Sequence, residues 1–233
     1  MKFDAYTMRA RVLPAVLVAL PLAVLVSFAA FSPIAGIVPA IGGFALAYWA
    51  AEFVRQQGVR LERRLTRRWG GMPTNAQLRL TSRDMAAVLR RRAALELATG
   101  YELPDPVAES KSAVDADIEI ERVVRLGAAR IRDTKVEAHL VHQENIAYGF
   151  RRNLRALKPL GLTSAALSVA IALVAAWNET TILTFVLALD ILLAILWIAV
   201  VRDEWVHDQA KKYAERFFVA IETIARNQPA TRS

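Results

Sequence analysis

The sequence predicts an all-α integral membrane protein with two transmembrane helical hairpins, four spans in all, a helical water-facing domain and a C-terminal helix. Three observations predict it. Leu160–Trp177 carries no ionisable side chain and Ile182–Val201 carries one, Asp190; each run is about long enough, at ~1.5 Å per residue, to cross a ~30 Å hydrocarbon core. Neither run keeps the polar stripe that a soluble surface helix leaves wet. No segment shows sustained apolar alternation, so no strand is expected.

Composition bounds the rest. The 233 residues are 55% apolar with a net charge of +8, too apolar for an ordinary soluble domain and too charged for a minimal membrane bundle. The charge is uneven: Arg55–Lys158 holds 21 basic and 13 acidic residues, which accounts for all of it. There is no cysteine, which excludes disulfides, thiolate nucleophiles and Cys-based zinc sites.

In chain order, Val12–Phe31 is the first apolar run, preceded by Lys2, Arg9 and Arg11 and broken at Ser32–Pro33; Ile34–Val54 is the second. Basic residues flank each hairpin on its outer ends and are missing from its connection, which predicts both termini and the long middle segment on the cytoplasmic face of the membrane. The expected segments are 1–54, the first hairpin; 55–158, a basic helical cytoplasmic domain; 159–201, the second hairpin; and 202–233, a cytoplasmic helix and tail. A rival reading takes Met1–Ala29 as a cleaved signal peptide, since Ser27-Phe28-Ala29 satisfies the small-x-small rule. Pro21, near mid-membrane, frees the carbonyl of Leu17 and kinks the first span, either as a packing adjustment or as a flexible point for gating. Gly42 and Gly43 in the second span, and Ser164, Ser168, Ala172 and Ala176 in the third, form small-residue stripes: packing seams first, pore linings only in an oligomer.

The middle segment reads as helical. Val54–Trp69 prolongs the second span and stops at Gly70–Gly71–Met72–Pro73. Thr81–Ser82 caps a helix over Arg83–Thr99 that Gly100 ends, and Tyr101–Ala108 is a loop. Val114, Ile118, Val124, Ala128 and Ile131, then Val136, Leu140, Ala147, Leu154 and Leu157, keep a helical period with a break near Asp133–Thr134. In the tail, Val206, Ala210, Tyr213, Phe217, Ala220 and Ile224 form a heptad-like seam. One helix from Ile182 to Arg226, about 67 Å long, carries that seam either onto the middle segment or to another subunit.

Asp190 is the sharpest candidate for a pore or gating role, with Pro21, Gly42 and Gly43 beside it. A carboxylate at mid-bilayer costs several kcal/mol unless it is neutral, paired or wet. No Lys or Arg lies within a span. Two options remain: a protonated acid bonded to Ser27, Ser168, Thr184 or a freed carbonyl, or an ionised ring lining an oligomeric pore. The basic clusters are candidates for an anionic ligand: Arg63, Arg64, Arg67 and Arg68; Arg90, Arg91 and Arg92; Arg151, Arg152 and Arg155 with Lys158. Juxtamembrane cations also serve topology and headgroup contact. Arg90–Arg92 lies far from any span, and three consecutive arginines cover most of a helix circumference. At least one must face something other than bulk water, and a phosphate suits the guanidinium fork. Trp69, Tyr101, Tyr148 and Phe150 offer stacking surfaces for bases, or serve as core and interfacial anchors.

No catalytic residues, cofactor or metal are expected, and the protein is not read as an enzyme. His139 and His142 lie beside Glu137 and Glu144 without a metal-site motif. There is no Walker loop, dinucleotide glycine pattern or nucleophile elbow.

Glu144-Asn145-Ile146-Ala147-Tyr148-Gly149-Phe150-Arg151-Arg152-Asn153-Leu154, then Leu157-Lys158-Pro159, is similar to a stretch in bacterial four-span membrane proteins, as is Trp69-Gly70-Gly71-Met72-Pro73-Thr74. The plan of hairpin, helices, hairpin and tail resembles the membrane effectors that accompany nucleotidyltransferases in antiphage signalling systems. The resemblance implies an oligomeric effector or channel of the bacterial inner membrane, gated by a nucleotide or oligonucleotide from such an enzyme, that permeabilises that membrane. It assigns no ligand residues. The alternative is a structural or scaffold membrane protein that docks a cytoplasmic partner.

Overall fold

The computed structural model of the chain describes residues 5–29, 38–80, 84–175 and 180–227. All regular structure among them is helical: α1 (Leu13–Ala29), α2 (Val38–Arg68), α3 (Met85–Thr99), α4 (Pro106–Lys111), α5 (Ala113–Arg132), α6 (Lys135–Ala175), α7 (Thr180–Ala199) and α8 (Asp203–Asn227). Ala5–Thr7 and a wider π-type segment, Met8–Val12, precede α1, and Pro73–Ala76 is a single turn. Ser32–Pro33, Thr81–Ser82, Arg83 and Asn178–Glu179 lie outside the described residues, as do the surroundings of Ser27, Gly42 and Gly43.

Among the described residues one helix, Glu137–Val174 within α6, is long and apolar enough to cross a membrane, and a second results if Leu183–Ala199 and Asp203–Asn227 are taken as one broken span. α1 has 17 described residues, about 26 Å of helix against a ~30 Å hydrocarbon core. The expected continuous helix over 182–226 does not form. It breaks at Val200–Arg202, where the amides of Val200 and Val201 both reach the Leu196 carbonyl and that of Arg202 reaches Val200.

The chain packs as two compact units, Met1–Arg64 with Ile146–Val206, and Leu65–Asn145 with His207–Ser233. The apolar unit therefore takes in the basic stretches 55–64 and 146–158, while most of the tail belongs with the middle segment.

In the second unit, Leu95 of α3, Ile120 and Ile131 of α5, and Phe217 and Ile221 of α8 are at most 2% exposed in one core, each worth roughly 1.5–3 kcal/mol of burial. From Tyr213 to Ile224 the tail's heptad seam is thus satisfied within its own unit by the middle segment. The apolar face of α5 is the expected one in its second half, where Ile131 is buried and Val124 and Ala128 pack against the core, and differs in its first. Ala116, Ile120, Val123, Gly127 and Ile131 are buried, while Val114 and Ile118 are 71% and 58% exposed. Two apolar stripes overlap on this helix, and in its first half the core takes Ala116, Ile120 and Val123 in place of Val114 and Ile118. α3 begins at Asp84, whose carboxylate accepts from the Ala87 amide at 3.1 Å, and ends at Gly100 in the left-handed region, φ +74. α2 stops as expected before Gly70 and Gly71, both at positive φ. The loop expected over 101–108 instead turns into α4, because Asp105 caps the Ala108 amide and Pro106 opens the helix.

In the first unit, α6 and α7 pack along matched stripes. Beyond Pro159 the buried residues of α6 are small, and Gly161, Ala165, Ser168 and Ala172 among them line one stripe. Those of α7 are Val186, Asp190, Leu193 and Trp197. Both stripes step by fours and threes, the spacing of one helix face. Gly161 is required by the closest approach, since a Cβ there would stand 2.4 Å from the Trp197 ring. Of the stripe read as a small-residue seam, Ser168 and Ala172 lie in it against α7 of the same chain, and Ala176 lies outside the described residues.

Candidate functional site

The basic clusters separate once folded. Arg92 is 6% exposed. Its Nη1 donates to Glu109 Oε1 at 2.6 Å and to the Leu78 carbonyl at 2.8 Å, and its Nη2 donates to the Pro104 carbonyl. Glu109 Oε2 accepts from the Leu80 amide at 3.1 Å. Arg92 thus ties the segment before α3 and the segment around α4 onto its own helix. It is the arginine of the triplet that faces away from bulk water, and what it meets is protein. Arg91 lies over the Phe218 ring at 5.3 Å. Arg90 is outermost, its side chain 66% exposed and 3.4 Å from Glu222.

Arg151, Arg152, Arg155 and Lys158 are likewise engaged inside the first unit. Arg152 donates to Glu62 Oε2 at 2.9 Å and to Asn153 Oδ1 at 3.2 Å and 3.3 Å. Asn153, fully buried, donates to the Ala10 carbonyl at 2.6 Å. Tyr148 is 5% exposed, and its hydroxyl donates to Glu62 Oε1 at 2.9 Å. Its ring lies 5.7 Å from the Arg152 guanidinium. The expectation that Tyr148 offers a stacking surface to a base is corrected here: the ring is covered by its own chain.

Arg151 donates to the Trp205 carbonyl at 3.0 Å and lies over its ring at 4.8 Å. Arg155 pairs with Asp203 at 2.8 Å. Lys158 Nζ reaches the carbonyls of Val201 at 3.0 Å and Ile198 at 3.4 Å. These cations clasp the break between α7 and α8, where free carbonyls and the negative end of a helix dipole attract positive charge. The sequence carried a signal for the acidic partners: Glu62 is the one acid in the run from Arg55 to Arg68, and Asp203 follows Arg202 directly. Neither is singled out by spacing alone.

Arg63, Arg64, Arg67 and Arg68 are exposed along the end of α2. Of the other aromatics, Trp69 stacks on His207 with centroids 4.5 Å apart, Phe150 meets Trp205 edge to face, and Tyr101 is 51% exposed. Burial, with Lys211 nearby, holds the His207 imidazole below its ordinary pKa against the opposing pull of Asp208. In the second unit a cavity of about 610 Å³ is lined by Arg79, Asp117 and Glu109 among others. Arg79 is bidentate to Asp117, at 2.8 Å and 2.6 Å, so the cavity presents no unneutralised cation to an anion. Among the described residues no group of His, Asp and Glu is arranged to hold a metal ion.

Asp190 stands apart from all of these. It is 2% exposed, and among the described residues neither carboxyl oxygen has a hydrogen-bond partner. Ser168 lies beside it, fully buried, with its hydroxyl directed to the Pro21 carbonyl at 3.3 Å. Ser164, one turn earlier on α6, is 8% exposed with its hydroxyl unpartnered. Pro21 is thus brought to the Asp190 seam. Comparison with protein families, curated proteins and solved structures finds no match to this chain.

Proposed function

We propose that the chain is a four-span inner-membrane protein with cytoplasmic termini that assembles into an oligomeric channel or membrane-permeabilising effector. An anionic nucleotide or oligonucleotide bound to its basic helices would control it, and antiphage defence is the setting the resemblance points to. One observation carries the membrane part. α7 exposes Phe185, Ile191, Leu192, Ile195, Leu196 and Ile198 at 45–60% and hides its one acid at 2%. Water would favour the reverse, whereas lipid or a neighbouring span covers such a surface. For the anionic ligand, Arg63, Arg64, Arg67, Arg68 and Arg90 are the exposed candidates, and Arg91 stands at the margin. Gating requires that ligand bind the open and closed states with different affinity.

The reading is tested by reconstituting the full chain in liposomes. Ion flux that responds to added oligonucleotide, and loses that response when Arg63, Arg64, Arg67 and Arg68 become Gln, supports it. A chain that stays in the supernatant of detergent-free lysates defeats the membrane reading, and silent liposomes defeat the channel.

A scaffold function is the second reading. It is favoured by the internal use of Arg92, Arg151, Arg152 and Arg155 and by Leu89, Leu97, Val107, Val114 and Ile118, each more than half exposed in the second unit. A co-purifying protein released by Ile118→Asp, with no flux in liposomes, would select it.

A further inference from the structure

The seam between α6 and α7 holds one acid, and among the described residues no basic side chain pairs with it. Gly161 meets Trp197, and Ala172 packs with Val186, a register that sets Ser168 against Asp190. α1 also packs on α7 and brings the Pro21 carbonyl to the same point through Ser168. Between Pro159 and Val201 the sequence has no Lys, Arg or His, and its other acid in that stretch is Glu179. Val12–Phe31 has no titratable residue. The nearest basic side chain along α6 is Lys158, committed to the Val201 carbonyl and roughly 15 Å of helix from Ser168. A bare carboxylate in such a place is strongly disfavoured, because it has lost water and, among the described residues, gained no counter-charge.

Among the described residues the polar atoms brought together there are all oxygen: the Asp190 carboxyl, the Ser168 hydroxyl and the Pro21 carbonyl. Hard cations take such donors. One carboxylate neutralises one positive charge, and a divalent ion would leave an uncompensated charge in an apolar seam. We propose that Asp190, with Ser168 and Pro21, forms a buried site for a monovalent cation, a proton or an alkali metal ion, inside the membrane unit. The proposal goes beyond ligand control of a pore: it needs only the α1–α6–α7 packing, and it makes the occupancy of that seam depend on the ions bathing the protein. The small residues that let α6 and α7 approach are then also what keeps the acid away from bulk water.

The test is labelling by dicyclohexylcarbodiimide, an apolar reagent for protonated carboxyls. The acid adds across the reagent and its proton passes to nitrogen. The acyl group then shifts to the second nitrogen, giving a stable N-acylurea with no leaving group. Full-length protein in sodium-free detergent micelles is expected to carry one adduct on the peptide containing Asp190, and Asp190→Asn to lose it. If the ligand is a proton alone, the labelling rate falls about tenfold per pH unit once the carboxyl ionises and ignores salt. If it is an alkali ion, sodium or lithium protects saturably at fixed pH. Ser168→Ala should shift the pH or salt dependence without abolishing the adduct. The absence of any adduct at Asp190 under acidic, sodium-free conditions, while other carboxyls in the same sample react, overturns the proposal. So does an adduct that ignores both pH and salt. Silent liposomes would defeat the channel reading and leave this one standing.

Discussion

Arg92 separates a ligand-binding arginine from a structural one, and its replacement by leucine should unfasten the second unit. The side chain is 8% exposed and its partner Glu109 13%. Three acceptors depend on it: Glu109 Oε1 and the carbonyls of Leu78 and Pro104. Leaving a buried acceptor unsatisfied costs about 1–3 kcal/mol, and breaking a buried ion pair by removing one partner costs about 3–5 kcal/mol. Glu109 keeps the Leu80 amide, so the low end applies, and we expect a loss of about 3 kcal/mol. That is roughly a hundredfold in an opening equilibrium, readable as faster amide exchange over residues 78–80 and 104–111 in the detergent-solubilised full chain. Arg90→Ala is the control. Its side chain is 66% exposed and 3.4 Å from Glu222, so it should cost less than about 1 kcal/mol. Replacing Arg92 and Glu109 together by apolar residues should recover much of the loss, since paired removal leaves fewer orphans. If Arg92→Leu exchanges like the parent protein and instead loses affinity for an anion, the structural assignment is wrong.

Three further outcomes follow from the packing. Gly161→Ala would place a methyl 2.4 Å from the Trp197 ring, an overpacking cost of about 1–3 kcal/mol; thermal melting in detergent should show it, and Trp197→Leu in the same chain should relieve it. Gly100→Ala has open space around the new Cβ but sits at φ +74, so its cost of about 1 kcal/mol is conformational, and Gly100→Asn should cost less than Gly100→Ala. His207 has its folded pKa depressed by burial. A base of this kind is neutral in both states above about pH 6.5, and the unfolded chain takes the proton first as pH falls. Stability of the second unit should therefore decline as pH drops below about 6.5 and flatten below the folded pKa; in His207→Gln that part of the dependence disappears, and an unchanged profile would refute it.

Much of the helical plan was legible because its signals are local. Gly70–Gly71 and Gly100 end helices because only glycine takes their backbone angles without cost, and the 4-3 spacing of Val206 to Ile224 marks one face whatever covers it. The phase of α5 was less legible. Val114 and Ile118 are as apolar as Ile120 and Val123, so periodicity alone could not choose between two overlapping stripes; contact with Leu95 and Phe217 did. The break at Val200–Arg202 has no glycine or proline to announce it. It is held by the cations of 151–158, which come from another helix and bind the carbonyls and acid that the break exposes.

The chain's own order of residues determined that it is helical, that its charge lies in the middle, and that one acid sits alone in an apolar run, since each of these depends only on neighbours along the chain. Which arginines are spent and which stay exposed was decided by folding, because a guanidinium's fate depends on where distant carbonyls and carboxylates come to rest. Asp190 shows both halves: composition made it conspicuous, and the close approach of Gly161 to Trp197 put it inside the seam of a single chain, away from the outer surface of α7.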